Sequence, residues 1–558
     1  MTHAQIPVPL EADNTIPRML VRQAERLGDK PLIRFPREGV DLGYATLAAH
    51  ALAGSARLER DHALRPGTIA ALYLGNCGDY VKAWFSCLFA GIVDVPVNHE
   101  FRKALLLFAL SSVGAEVVIT DADGAAHLLD PEVRDYLGKL RLLVLCGPFD
   151  REQLREQAAG AALPPVVALD DLTAPGPRGT AWETLEGTAP ALIRFTSGTT
   201  GSPKGILQSH LHALGKSMVI NRLLEMGEED ILYSPFPLHH NLASVNGLIG
   251  MAQLGGTMVS APRFTASGYW QEARECGATR AHLLQALAPL VMAQPPSALD
   301  RRHRVRLLWT GGPDRAFEER FGVEWIQSFA IGEVGCIAHT RGAQPGSTAV
   351  GVPLPEFEVA IVDTLDRPLQ AGERGELTIR PRHPHRVMLA YHNNLPATMR
   401  AFRNLWFHTG DAAMMGADGQ LHWLGRIGDT IRRRGVNISS EQLEAEIRQH
   451  PAVLDCGVIA IDMGNRDQEI HACLLWREPP ADAPAAYAEL AQFLAGRLTR
   501  EYVPRFYESV AELPRTGTGK VRKVELRERA QYGPTWDRQA AAWVVQPGAQ
   551  FRQQETSP

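Results

Sequence analysis

Between residues 69 and 146 the chain alternates short apolar, β-branched runs with longer helix-like stretches. No other feature limits the fold as strongly. The runs are IAALYL (69–74), IVDVPV (92–97), EVVIT (116–120) and LLVLC (142–146), and Gly78–Ala90 and Phe101–Val113 lie between them. Runs without polar alternation are buried on both faces, and strands separated by helices pair in parallel. The pattern therefore predicts βαβ units around a buried parallel sheet, an α/β fold. It resumes after position 190 in ALIRF, GTMVSA and VRLLW. Ahead of that, 160–189 is rich in Pro, Gly and Thr and reads as a surface connection, not a sheet element.

The length of 558 residues implies about three to four domains or subdomains. With 45% hydrophobic and 21% charged residues, the chain can bury a sizeable core and is not dominated by disorder. Lys and Arg number 57 against 62 Asp and Glu, a net charge of -5, so no basic excess offers itself to nucleic acid or anionic lipid. The cysteines (Cys77, Cys87, Cys146, Cys276, Cys336, Cys456 and Cys473) form no CxxC pair, which argues against a disulfide framework and a zinc knuckle. The first residues lack the basic-then-apolar pattern of a leader. The most apolar long stretch, Val81 to Val97, contains Lys82 and Asp94 and reads as a buried helix, not a membrane span. A cytoplasmic protein is expected.

A second change comes near position 425. Arg426, Arg432, Arg433 and Arg434 make 425–438 basic, and Ser439 then stands three residues before Gln442, a capping-box spacing. The helix EQLEAEIRQH follows, with Leu443 and Ile447 on one face and Glu441 and Glu444 read as a solvated face. A strand, CGVIAI, comes next. A large unit (1–425) followed by a small α+β unit (426–558) is expected, with a polar, Gln-rich tail from Tyr532 that frays.

The stretch richest in chemistry is TSGTTGSPKG: Thr196, Ser197, Gly198, Thr199, Thr200, Gly201, Ser202, Pro203, Lys204 and Gly205, directly after ALIRF. Its glycines let the backbone turn tightly and bring N–H groups close to an anion. Its hydroxyls and single ammonium add donors suited to a polyphosphate. It is not the P-loop of kinases and ATPases, since Lys204 is preceded by Pro203 and followed by Gly205.

This stretch resembles the most diagnostic motif of the acyl-adenylate-forming superfamily, which holds acyl-CoA synthetases, nonribosomal-peptide adenylation domains and firefly luciferase. Further motifs stand in the expected order: FPLHHN (236–241), TGGP (310–313), FAIGE (329–333), WFHTGD (406–411), GRIGDTIRRRG (425–435) and PRTGTGK (514–520). MLAYHNNLPATMRAFRNLWFHTGD and RRRGVNISSEQLEAEI look most like the acyl-CoA ligase branch, with its carnitine/crotonobetaine and fatty-acid ligases.

The resemblance implies a large N-terminal domain of mixed, mainly parallel sheets and a small mobile C-terminal domain carrying the catalytic lysine. It implies ATP, Mg²⁺ and coenzyme A. A carboxylate attacks the α-phosphate of ATP to give acyl-AMP and pyrophosphate, and a thiol then displaces AMP. Thr196–Gly205 would hold the β- and γ-phosphates. Gly311, Gly312 and Pro313 would wall the adenine and acyl sites, and Phe329 would stack on adenine, followed by Ala330, Ile331 and Gly332. Glu333 stands at the Mg²⁺ ligand position. Asp411 would accept from the ribose hydroxyls with help from Arg426, and Gly435 ends the same group of nucleotide motifs. Lys520 matches the catalytic lysine, which neutralises charge on the carboxylate and α-phosphate oxygens. His240 matches a position on the acyl-site wall, and His239 stands where an aromatic residue is commoner. Gly428 stands at the pivot of the mobile domain.

The sequence departs from that pattern in places. Ala330 and Gly332 replace a Gly and a Thr, and Val436 stands where the ligase branch often has Glu. Acyl transfer to CoA is therefore weighed against adenylation only, or transfer from acyl-AMP to a carrier-protein thiol or a separate partner. A binding protein without turnover is the remaining alternative, disfavoured by intact Lys520, Asp411 and Glu333. The resemblance also implies an acyl pocket lined by parts of 236–245 and 281–290, where Leu238, Leu242, Val245, Leu284 and Leu287 suggest an apolar cavity for a hydrophobic or alicyclic carboxylic acid.

Overall fold

The structure, a computed structural model, describes residues 14–158, 160, 162–195, 204–284, 287–310, 315–341, 349–433, 436–463, 468–515, 520–529 and 534–545. The chain divides into two compact units. One takes the described chain up to Glu358 together with Arg380–Arg400; the other takes Val359–Ile379 and the described residues from Ala401 on.

In the first unit the four apolar runs become strands Ile69–Tyr73, Val93–Pro96, Val117–Thr120 and Leu142–Leu145, all paired in parallel. Both intervening helices form. Gly78–Phe89 buries Tyr80, Val81, Trp84, Phe85 and Leu88, so the apolar stretch from Val81 is an interior helix followed by an interior strand. Lys103–Val113 stops at Gly114, whose φ of 70° closes the last turn in the left-handed region that glycine adopts without strain. Pro190–Phe195 joins the same sheet, parallel to Val93–Pro96 and antiparallel to Gly205–Ser209.

The stretch 160–189 departs from its sequence reading. Val166–Ala168 is the edge strand of this sheet, parallel to Leu143–Leu145, and Leu169 and Leu172 are buried in the short helix after it. Three residues are too few to show as an apolar run, but they cap the open edge of a buried sheet.

GTMVSA and VRLLW belong to a second sheet. In it Pro31–Phe35, Thr257–Ser260, Ile231–Ser234, Arg280–His282, Leu307–Thr310 and Glu324–Ile331 lie side by side in parallel. Gly335–Arg341 then turns back antiparallel to Glu324–Ile331. Apolar runs specify burial, not which of two sheets they join.

In the second unit Arg374–Pro381, Phe407–Met415 and Leu421–Arg426 pair antiparallel, and Thr430–Arg433 forms a hairpin with Val436–Ser439. A five-stranded sheet follows, in the order Val453–Asp462, Gln468–Trp476, Phe506–Ser509, Pro534–Asp537 and Ala542–Val545. Helices Ser440–Ile447 and Ala483–Ala495 bury Leu443, Ile447, Leu490 and Leu494 in its core.

Two expectations fail in this unit. Residues 534–545 do not fray: they form a hairpin on the sheet edge, with Trp536 edge-on to Trp543. Glu444 is not solvated. It is 4% exposed, accepts from Val458 N at 2.8 Å and pairs with Lys523 Nζ at 2.9 Å. Glu441 is also largely desolvated, and burial raises its carboxyl to about 7. The helix packs its apolar side with Val453, Cys456 and Val458, and Lys523 reaches Glu444 on its polar side, so that side is interior as well. Among the described residues, no helix is long and apolar enough to cross a membrane.

Candidate active site

In an open parallel sheet, ligands bind at the carboxyl ends of the strands. Three motifs leave the second sheet at that edge. FPLHHN follows Ile231–Ser234, Thr310 of TGGP is the last residue of Leu307–Thr310, and FAIGE begins in the last three residues of Glu324–Ile331. A cavity of about 430 Å³ lies elsewhere, lined by Gly227, Asp230, Thr279 and Arg306. These residues precede the strands, so that cavity sits at their amino ends, away from the motifs.

Glu333 is half-buried, and its Oε1 accepts from the Tyr391 hydroxyl at 2.7 Å. Lys204 Nζ lies 4.1 Å from the centre of the Tyr391 ring. Tyr391 belongs to the two-residue strand Ala390–Tyr391, antiparallel to Gly205–Ser209. The fold thus gathers the end of the hydroxyl-rich loop and the acidic residue of FAIGE around one aromatic ring. Phe329, Ala330 and Ile331 are the last residues of their strand.

Behind Gly332 stands Lys216, whose Nζ donates to the Gly332 carbonyl at 2.7 Å. Lys216 is buried, and burial lowers its amine to about 7 against the pull of Glu333. Above pH 7 the folded chain holds this amine neutral, while the unfolded chain keeps it charged up to its ordinary value near 10.5. The unfolded state then binds more protons, so stability rises with pH across that window. The contribution is at most about 1.4 kcal/mol per pH unit. Denaturant unfolding from pH 7 to 10 is expected to give the native chain a more positive slope than Lys216→Met, since the buried thiols, raised by burial, lower the stability of both alike as pH rises. Equal slopes would refute the neutral amine.

His240 is half-buried, and its Nδ1 accepts from Leu242 N at 3.2 Å. His239 is held neutral, its value lowered to about 3 by burial and the neighbouring His240. Leu238, Leu242 and Val245 are buried, whereas Leu284 and Leu287 are half-buried.

The second unit carries the other polar motifs. Asp411 is 1% exposed and faces Arg426 across the strand pair. Its Oδ1 lies 3.1 Å from Arg426 Nε and accepts from Trp423 Nε1 at 3.1 Å. Arg426 also donates to Thr409 O at 2.8 Å. Lys520 is exposed next to Val521, which bridges to Arg515, and its charge acts on the Glu441 carboxyl.

Thr196, Ser197, Gly198, Thr199, Thr200, Gly201, Gly311, Gly312, Pro313 and Gly435 lie outside the described residues. The sequence reading assigned nothing to Tyr391, Trp423 or Lys216. Tyr391 and Trp423 are polar-tipped aromatics beside a motif, a signal that gains meaning only once a carboxylate is found opposite each of them. Lys216 carried no signal, because its partner is a backbone carbonyl far along the chain.

Known proteins match along nearly the whole chain. A family described as AMP-binding enzyme matches residues 20–392, and its C-terminal domain matches 442–520. A crotonobetaine/carnitine–CoA ligase of Salmonella paratyphi A is 27% identical over 526 residues, covering 90% of this chain and 97% of that protein. The solved structure of an anthranilate CoA ligase in complex with anthranoyl-AMP superposes with a TM-score of 0.81 at 21% identity, covering 93% and 98% of the two chains. An o-succinylbenzoate CoA synthetase from Bacillus subtilis, in complex with ATP and magnesium ion, gives 0.74 at 22% identity, covering 91% and 99%. The ordered motifs, the two sheets and the convergence of motif segments at one sheet edge agree with these likenesses, and the chain belongs to the AMP-binding enzyme family.

Proposed function

We propose that this chain is an ATP-dependent acid–CoA ligase of the cytoplasm. A substrate carboxylate attacks the α-phosphate of ATP, releasing pyrophosphate and forming acyl-AMP, and the CoA thiol then displaces AMP. The observation that carries this reading is the gathering of Lys204 and Glu333 around Tyr391 at the carboxyl edge of the second sheet. An ammonium beside a carboxylate, each oriented by one tyrosine, suits a polyphosphate with its counter-cation. The CoA ligases that match the chain support the same chemistry.

The Glu333 carboxylate is a hard oxygen donor, fixed through Oε1 and half open to solvent, and it fits Mg²⁺. When bound there, Mg²⁺ would neutralise phosphate charge. The remaining roles belong to the chain. Lys204 and the segment 196–203 bind phosphate oxygens; Phe329 to Gly332, with Gly311 to Pro313, border the nucleotide and acyl group; His240 stands at the acyl wall. Asp411, oriented by Arg426 and Trp423, accepts from the ribose, and Lys520 neutralises charge in the adenylation step. Domains 1–425 and 426–558 remain our functional division, with Gly428 as the pivot. The apolar Leu238, Leu242 and Val245 favour a hydrophobic carboxylic acid.

Asp411→Ala removes the carboxylate and is expected to raise the apparent KM for ATP at least about tenfold, as loss of a charged hydrogen bond costs about 1.5–3 kcal/mol. Initial-rate kinetics test it, and an unchanged KM would refute the ribose assignment. The function itself is tested by ATP–pyrophosphate exchange across a panel of carboxylic acids, followed by product analysis with CoA. Exchange with one acid class and formation of an acyl-CoA is expected. Exchange that stops at acyl-AMP would favour a carrier-protein thiol as acceptor, and no exchange with any acid would overturn adenylation.

A further inference from the structure

A cluster of donors outside every motif sits in the five-stranded sheet of the second unit. His471 and Cys473 are two apart on Gln468–Trp476, so both side chains point to one face. Glu508 lies on the neighbouring parallel strand, directly opposite Cys473. His471 and Cys473 are fully buried, and Glu508 is 5% exposed.

Cys473 Sγ is 4.0 Å from His471 Nε2 and 3.9 Å from Glu508 Oε2, and His471 Nε2 is 3.7 Å from Glu508 Oε2. The nitrogen–oxygen separation is too long for a hydrogen bond. Three nearly equal edges make a near-equilateral triangle. Its centre is about 2.2 Å from each atom, inside the ~2.0–2.3 Å of zinc bonds to N, O and S.

A second observation points to the same place. The buried Nδ1 of His471 has no hydrogen-bond partner, and its Nε2 faces Cys473 and Glu508. The Nε2 of this fully buried imidazole has only a sulfur at 4.0 Å and a carboxylate oxygen at 3.7 Å for partners, and an ion among the three would supply it with a bond. Arg529 Nε holds the other Glu508 oxygen at 2.8 Å, which turns Oε2 toward the cluster.

We propose that His471, Cys473 and Glu508 form a buried structural site for a zinc-class divalent cation. The pairing of one thiolate, one imidazole and one carboxylate suits Zn²⁺, and the two anionic ligands cancel its charge where uncompensated charge is expensive. Binding releases the thiol proton to solvent and forms the metal–sulfur bond, with no change of oxidation state. The site lies beneath the Lys520 segment. Leu513, Val521 and Leu526 pack with Cys473, and a Cβ on Gly457, which opposes Cys473, would come within 2.5 Å of Leu526 Cδ1. The ion fastens the sheet face against which that segment rests.

The test uses the full chain, stripped with a chelator and titrated with Zn²⁺ against a chromophoric competitor, then with Co²⁺ as a spectroscopic probe. One equivalent per chain, a thiolate-to-Co²⁺ charge-transfer band and a higher melting temperature with Zn²⁺ are expected. Cys473→Ser and His471→Ala should each weaken binding at least about 100-fold, while Cys456→Ser should bind like the native chain. The native-chain titration does not depend on the variants folding. Absence of stoichiometric Zn²⁺ binding, or a thiolate band that survives in Cys473→Ser, would overturn the proposal.

Discussion

Lys520→Ala is expected to slow ATP–pyrophosphate exchange by about 10²–10³-fold, the usual cost of losing one preorganised charge at a developing oxyanion. ATP binding should change little, since the phosphates and ribose are assigned to Lys204, Glu333 and Asp411. The expectation rests on the place of Lys520 in PRTGTGK, which Lys523, three residues on, does not share. Lys523 is 5% exposed, pairs with Glu444 at 2.9 Å and donates to Ser440 Oγ at 2.7 Å, so its charge is consumed by the fold. Lys520 is exposed beside it, and its charge reaches the Glu441 carboxyl. Exchange kinetics and nucleotide binding measured on the same preparation separate chemistry from folding. Undiminished exchange would remove Lys520 from the reaction.

The second large effect is on stability. Asp94→Ala is expected to destabilise the chain by about 3–5 kcal/mol, because it leaves a buried guanidinium without its counter-charge. Asp94 is 0% exposed and Arg194 3% exposed, and Asp94 Oδ2 accepts from Arg194 Nη1 at 2.6 Å. Burial pushes the Asp94 carboxyl up and Arg194 pulls it back. The guanidinium also lies over the Trp84 ring at 5.7 Å. Arg194 stands on Pro190–Phe195, the strand that leads into 196–203. Denaturant unfolding measures the loss, and replacing both partners (Asp94→Leu with Arg194→Met) should recover most of it. A single-variant loss below about 1 kcal/mol would show that the pair contributes nothing beyond packing.

Local pattern was legible where burial alone decides the outcome. Four apolar runs and two helices formed within a few residues of their sequence limits: the strands and Gly78–Phe89 are buried on nearly all sides, and Lys103–Val113 buries one apolar face. The short edge strand Val166–Ala168 and the hairpin 534–545 were missed, since edge pairing is stabilised by backbone hydrogen bonds that leave no apolar signature. Glu444 was misread for a related reason: helical spacing shows that a face is polar, not that another element will cover it.

By itself the sequence determined the family, the α/β class and the order of the motifs, because backbone loops that hold phosphate require particular glycines, hydroxyls and charges in a fixed order. Only the tertiary structure decided which distant residues meet. Tyr391 comes to stand between Lys204 and Glu333, Trp423 and Arg426 come to hold Asp411, and Lys216 comes to support Gly332. The His471, Cys473 and Glu508 cluster belongs to the same class. Two of its donors are set by alternation along one strand, but the third arrives by parallel pairing with a strand more than thirty residues on. Such juxtapositions follow from strand order and register, which depend on the whole packed sheet and leave no trace in local spacing.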